Sequence, residues 1–218
     1  MRHLRALLAI GAIALNLNSN AIAQATTNPN LNAQLLVAAR QGDLPALNRA
    51  LERGAAPNSR NRLGKTALLL ACEKGQMAMA ERMLAAGGDV NFASLEGVTP
   101  LMAAAYGGHA AIVKRLLDAG ARPEPIDRMK KPAVVYAAGQ GHAEVLALLL
   151  DRGVPIDAAY EHRLTALMWA AGQGQADAVK LLLARGARTD LRDDRGLSAE
   201  QIARDAGHAQ VAAVLAAR

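Results

Sequence analysis

The 218-residue chain has few of the residues on which disulfide frameworks and aromatic cores depend. It contains one cysteine, Cys72, so no intramolecular disulfide can form and the fold must be held by packing alone. Aromatic residues make up only 2% of the sequence, with one tryptophan, three tyrosines and one phenylalanine. Cys72 lies in the apolar stretch LLLACEKG, and we interpret it as a small buried core residue; a reactive thiol is the alternative.

Sequence motifs of catalysis and cofactor binding are also missing. The chain has no phosphate-binding loop, no Gly-x-Gly-x-x-Gly following a strand and no nucleophile elbow. Asp193 and Asp194 are adjacent, but no other group nearby suggests acid–base chemistry, so a solvated turn is the simpler interpretation. The sequence therefore predicts a protein that is not an enzyme and that holds no cofactor.

Residues 1–23 have the three-part pattern of a secretory signal peptide. A basic start, MRHLR, precedes the apolar stretch ALLAIGAIAL, and the small-x-small site AIA ends at Ala23. This apolar stretch is much shorter than the roughly 20 residues that span a bilayer, which favours a cleaved signal peptide over an uncleaved anchor. Without Arg2 and Arg5 the formal charge falls from +6 to +4, too little to predict nucleic-acid binding.

Glycine recurs with a period of 33 over most of the remaining chain. Two series share this step: Gly42, Gly75, Gly108, Gly141, Gly174 and Gly207, and Gly54, Gly87, Gly120, Gly153 and Gly186. Two series with one period identify internal repeats. Residues 24–30, which are polar and rich in Asn and Thr, predict a short flexible leader before the repeats.

Each repeat predicts two short helices. A hydroxyl residue at one position can cap the first helix, namely Thr66, Thr99, Thr165 and Ser198. The fourth unit has Pro132 there and no capping hydroxyl. The two glycine series end the first and second helices, and apolar residues such as Ile112, Val113 and Leu116 form one stripe on the second.

The segments TPL (99–101), GH (108–109), RLLDAGA (115–121) and LLLARGARTD (181–190) resemble those of the ankyrin-repeat family. The resemblance covers residues 31–218 and implies an all-α solenoid of stacked antiparallel helix pairs with projecting β-turns. Polar substitutions in the last unit, and the missing turn before the first, indicate two caps among six units. The predicted units are about 31–62, 63–95, 96–128, 129–161, 162–194 and 195–218.

Three histidines, His109, His142 and His208, recur in register. Packed helices lie roughly 8–10 Å apart, whereas a metal needs each nitrogen ligand within about 2.1 Å, so one ion cannot bridge this series. We interpret the three as structural residues at the start of each second helix. His162 lies at a turn tip without a second donor nearby, and no metal site is predicted.

The resemblance implies that a partner contacts the turn tips and the exposed side of the first helices. The candidate residues on these positions are Arg62, Lys65, Lys74, Leu95, Glu96, Tyr106, Met129, Lys131, Tyr136, Tyr160, His162, Trp169 and Gln173. They include the only tryptophan and all three tyrosines, and aromatic anchors dominate binding hot spots. The alternative is that Tyr136 and Trp169 fill gaps between helices. Basic tips either steer an acidic partner or are ordinary solvated charges.

Together these features predict an exported, non-enzymatic, monomeric scaffold that binds a partner protein of unknown identity on its concave face. The signal pattern predicts a bacterial periplasmic location, with the extracellular space as the alternative, and no membrane attachment after cleavage. Two other functions stay open. One is a secreted factor that acts on a host or competitor protein. The other is an accessory or chaperone protein for a periplasmic enzyme, for example in oxidative-stress defence.

Overall fold

The computed structural model describes residues 28–217, and in this range the chain is helical, with no β-strand. Twelve α-helices follow one another in six consecutive pairs. They are α1 Pro29–Gln41, α2 Leu44–Glu52, α3 Ala67–Glu73, α4 Met77–Ala85, α5 Pro100–Tyr106, α6 Ala110–Asp118, α7 Ala133–Gln140, α8 Ala143–Asp151, α9 Ala166–Gly172, α10 Ala176–Ala184, α11 Ala199–Asp205 and α12 Ala209–Ala216. A short 3₁₀ helix, Glu161–Arg163, precedes α9. The predicted signal peptide, 1–23, lies outside the described residues.

The helices form two layers. The first helices of successive pairs, α1, α3, α5, α7, α9 and α11, contact one another in that order. The second helices, α2, α4, α6, α8, α10 and α12, contact one another in the same order and form a second row. Each pair therefore buries its apolar side mainly against its neighbours, which is the predicted solenoid of stacked helix pairs. We call the outer side of the first layer, with the turns that precede it, the first-helix face.

Hydroxyl caps begin the first helices, as the sequence predicts. The Oγ1 atoms of Thr66, Thr99 and Thr165 accept the backbone N–H three residues further on, at 3.2, 3.2 and 3.3 Å. Ser198 does the same for α11 at 3.3 Å. Pro132 occupies this position before α7 without a side-chain bond. Each cap satisfies a backbone donor that the helix itself leaves unpaired.

The first helix starts earlier than the predicted leader allows. Helix α1 begins at Pro29, whereas the sequence assigned residues 24–30 to a flexible segment. The reason is Asn28, whose Oδ1 accepts the N–H groups of Asn30 and Leu31 at 3.1 and 3.4 Å and so caps the helix. Residues 29 and 30 therefore belong to the first repeat and not to the leader.

Gly108 shows what restricts most glycines of the first series. Its φ of 69° is left-handed, and an added Cβ would lie 2.5 Å from Nδ1 of His142. His142 occupies this space because its Nε2 atom bonds the carbonyl oxygen of Tyr106 at 2.9 Å. The same contact recurs where His109 covers Gly75 and His208 covers Gly174. Each of the three recurring histidines thus packs on the glycine of the preceding repeat.

The apolar core runs through all six pairs. Leu35, Leu68, Leu101, Leu116 and Leu149 are among its side chains with almost no exposed surface. Cys72 is also fully buried in this core. Burial, and to a smaller extent the charge of Glu73, raises the pKa of the Cys72 thiol above its ordinary value. The thiol is therefore protonated and inert, as expected for a core residue.

Candidate functional site

A cavity of about 610 Å³ lies on the first-helix face. Helices α3, α5, α7 and α9 contribute to it, together with the turns before α5 and α7. Its lining consists of Glu73, Val98, Met102, Ala103, Tyr106, Met129, Lys131, Val135, Tyr136, Gly139, Gln140, Trp169 and Gln173. We call it the aromatic cavity. No second helix contributes to its wall, so it belongs entirely to the layer on which the sequence predicts binding.

Three aromatic side chains and one ammonium group form the centre of the aromatic cavity. The rings of Tyr106 and Tyr136 meet edge to face, with centroids 5.7 Å apart and an angle of 81°. The Nζ atom of Lys131 lies 4.3 Å from the ring centroid of Trp169 and 6.0 Å from that of Tyr136. These are cation–π distances, so the ammonium group is stacked on the aromatic wall.

Tyr136 is fixed in the wall by a buried carboxylate. Its hydroxyl donates a hydrogen bond to Oδ2 of Asp127, a residue that is only 6% exposed. The other oxygen of Asp127 accepts the N–H groups of Met129 and Lys131 at 2.9 and 3.0 Å. Burial first, and then this bond to Asp127, raises the pKa of Tyr136 above its ordinary value. The phenol therefore keeps its proton, and the ring keeps its orientation, at physiological pH.

The charged groups around the aromatic cavity are Glu73 and Lys131 in its wall and the buried carboxylate of Asp127 behind Tyr136. The wall carboxylate, Glu73, is paired with Lys65, whose Nζ lies 2.6 Å from Oε1. Lys131 has no carboxylate within 4.0 Å among residues 28–217. The cavity therefore carries one positive charge without an ion-pair partner in the described part of the chain, surrounded by mostly apolar walls.

The cavity is open at one repeat position where two consecutive repeats, at Gly139 and Gly172, lack a side chain. Gly139 occupies the position of Glu73 and Tyr106, one and two periods earlier. A Cβ at Gly139 would meet only the Cγ of Gln173, at 3.9 Å, so the space above it is open. Sequence reasoning missed Gly139, although alignment of the repeats shows glycine where the two preceding repeats have large residues. The apolar lining residues Met102 and Val135 were missed as well.

The structure brings together only part of the predicted binding set. The residues that line the aromatic cavity are Tyr106, Met129, Lys131, Tyr136, Trp169 and Gln173. Tyr106 and Met129 are 54% and 58% exposed, whereas Tyr136 and Trp169 are partly buried. The rings of Tyr136 and Trp169 pack against the core and also face the cavity. Their role as partner contacts stays a prediction.

The other predicted residues lie outside the cavity wall. These are Arg62, Lys65, Lys74, Leu95, Glu96, Tyr160 and His162. Lys65 reaches the wall only through its ion pair with Glu73. Glu96 pairs with Arg128 at 3.2 Å on the surface, and Nδ1 of His162 lies 3.6 Å from a carboxylate oxygen of Asp194. Tyr160 packs against the core, where burial raises its pKa.

Tyr160 also accounts for an irregular turn beside the cavity. At the aligned positions of other repeats, Asn61, Asp127 and Asp193 accept the N–H four residues further on through a side-chain oxygen. Tyrosine has no oxygen close enough to its backbone for this bond. The turn instead forms the 3₁₀ helix, in which His162 has a left-handed φ of 58°. Arg163 is left-handed as well, but so are the residues at the same position of the other repeats.

The family model described as "Ankyrin repeats (3 copies)" matches residues 35–127, 112–193 and 134–218, which together extend from 35 to 218. The search of curated proteins gives no match. Within 28–217 no helix is sufficiently long and apolar to cross a membrane. The same residues contain no group of three or more potential metal ligands of the His, Cys, Asp and Glu types.

Proposed function

Because the chain belongs to the ankyrin-repeat family, whose repeats indicate a scaffold for protein–protein interaction, we propose that it is an exported, non-enzymatic protein that binds one partner protein in the aromatic cavity. The observation that supports this most is the aromatic wall itself. Tyr106, Tyr136, Trp169 and Lys131 come from three consecutive repeats and converge on one space. The two other aromatic residues of the chain, Phe92 and Tyr160, do not line this cavity.

Preorganisation favours binding at this wall. Tyr136 is held by Asp127, and the Lys131 ammonium is stacked on Trp169, so a ligand orders few side chains when it enters. Immobilising a flexible side chain costs about 0.5–1.5 kcal/mol, a cost that is avoided here. Binding without chemistry also fits a site whose one carboxylate in the wall, Glu73, is already paired.

Export is proposed from the signal pattern of residues 1–23, and we place the protein in the periplasm.

Filling the aromatic cavity is expected to abolish partner capture. The variant Gly139→Tyr adds, at an open position, the residue that stands one period earlier, and it removes no existing contact. The control Gly139→Ala adds only a Cβ, which has room, and should bind like the wild type. Each tagged protein serves as bait in a pull-down from the osmotic-shock fraction, with captured proteins identified by mass spectrometry.

Capture of the same protein by the Gly139→Tyr variant, with the fold intact by circular dichroism, would show that the aromatic cavity is not the binding site. Recovery of the protein in the cytoplasmic fraction alone would contradict export. Recovery in the culture medium alone would favour the secreted alternative over a periplasmic scaffold.

A further inference from the structure

We propose that the aromatic cavity binds an acidic side chain of the partner, a glutamate or aspartate next to an apolar residue in an extended segment, with Lys131 as its ion-pair partner. This inference rests on the proposed function and adds the chemistry of the ligand. It follows from three features of the cavity: the unpaired ammonium group of Lys131, the occupied aromatic faces and the length of the cavity.

The unpaired ammonium group of Lys131 selects an anion. The buried Asp127 carboxylate is hydrogen-bonded to Tyr136 and to backbone N–H groups and forms no ion pair with this ammonium group. Lys65 neutralises Glu73 at 2.6 Å, whereas Lys131 has no carboxylate within 4.0 Å in the described residues. A carboxylate that enters the cavity gains a charge-assisted hydrogen bond, which is roughly twice as strong as a neutral one. The apolar walls around Lys131 reduce screening of this interaction by water and salt.

The occupied aromatic faces exclude a cation. Faces such as those of Trp169 and Tyr136 attract ammonium and guanidinium groups in general. Here the Lys131 ammonium already lies 4.3 Å from the centroid of Trp169 and 6.0 Å from that of Tyr136. A basic side chain of a partner would meet a like charge in surroundings of low polarity. Without Lys131 the aromatic wall would attract a cation. With the Lys131 ammonium in place, the wall repels a second cation.

Lys131 is also held in place for this role. Its backbone N–H donates to Oδ1 of Asp127 at 3.0 Å, and its ammonium group rests on Trp169. Its flexible four-carbon stem is therefore ordered before a ligand arrives. The remaining lining includes the apolar side chains of Val98, Met102 and Val135, so the residue beside the acid should be apolar or aromatic.

The length of the cavity favours an internal segment over a free carboxyl terminus. Its lining extends from Glu73 in α3 to Gln173 after α9, across four repeats. At about 8–10 Å between packed helices this is roughly 25–30 Å, which an extended chain covers with about eight residues. A single terminal residue would contact only a small part of this wall.

The proposal is tested on the full mature chain by selection from a random library of 12-residue peptides. Each peptide is fused to its display carrier through its carboxyl end, so that no free carboxyl terminus is present. Enriched peptides should contain an acid next to an apolar residue. Synthetic versions with amidated ends are then titrated while the fluorescence of Trp169, the only tryptophan, is recorded. Lys131→Gln in the protein, or Glu→Gln in the peptide, should each weaken binding at least about 10-fold, as expected for a lost charged hydrogen bond.

The matched control is Lys130→Gln, which removes the same charge from an exposed neighbour that does not line the cavity. It should change the affinity less than about 2-fold, as is common for exposed charges. Basic or acid-free peptides, no enrichment, or equal binding by the Lys131→Gln variant would overturn the acidic-ligand proposal. Binding that persists in the Gly139→Tyr variant would instead overturn the cavity as the site, and with it the proposed function.

Discussion

Trp169→Leu is expected to weaken partner binding by at least about 30-fold, or about 2 kcal/mol, which is the loss typical of a hot-spot residue. Trp169 provides the largest ring of the aromatic wall and the surface on which Lys131 rests. Without this ring, both the apolar contact and the position of the ammonium group are lost. Leucine should preserve the fold, because Leu70 occupies the same repeat position in α3.

Isothermal titration calorimetry with the captured partner measures this loss, and urea unfolding of the free variant shows whether the repeats are intact. The control is Tyr160→Leu, which also removes an aromatic ring from the predicted set but lies outside the cavity. It should leave the affinity within about 2-fold, since scattered contacts away from the anchors contribute little. Equal losses for the two variants would mean that aromatic residues act through overall stability and not through the cavity.

Gly108→Ala is expected to lower the free energy of unfolding by about 3 kcal/mol, against about 1 kcal/mol for Gly120→Ala. Both glycines are left-handed, with φ of 69° and 87°, so both substitutions incur backbone strain. They differ in their surroundings. A Cβ at Gly108 would lie 2.5 Å from the His142 ring, whereas nothing lies within 4 Å of one at Gly120.

Urea denaturation followed by circular dichroism gives both values, and the double variant Gly108→Ala/His142→Ala isolates the cause. Removing the His142 ring should restore much of the additional loss in the free energy of unfolding. The contribution of the hydrogen bond from His142 to the Tyr106 carbonyl oxygen should not be recovered. If the two glycine variants lose equal stability, the ring does not constrain Gly108, and the packing role of the recurring histidines is wrong.

The fold could be predicted almost completely from the sequence because the 33-residue period identifies the repeating pairs of helices. A strict glycine spacing marks the end of the first helix in every repeat and of the second helix in every repeat but the last. Hydroxyl residues such as Thr99 mark the beginnings of four of the first helices. The family match over 35–218 and the six helix pairs confirm the predicted solenoid. The one shifted boundary, at Pro29, depends on a single cap by Asn28, a local interaction outside the periodic pattern.

The candidate site was predictable only in part, because it depends on contacts between repeats. Counting aromatic residues identified Tyr106, Tyr136 and Trp169, which share one cavity. The stacking of Lys131 on Trp169 joins residues from adjacent repeats, and no spacing rule indicates it. Tyr160 has the same residue type as Tyr106 but packs against the core from a turn. Residue type and approximate position therefore do not separate contacts from packing.

Photocrosslinking in the cell tests the place of the partner most directly. A p-benzoylphenylalanine residue replaces Tyr106, which is exposed beside the aromatic cavity, or Lys114, which is exposed on helix α6 of the second layer. We predict that one protein crosslinks from position 106 and not from position 114, and that Gly139→Tyr removes this crosslink. A partner that crosslinks from position 114 alone, or equally from both positions, would contradict binding in the aromatic cavity.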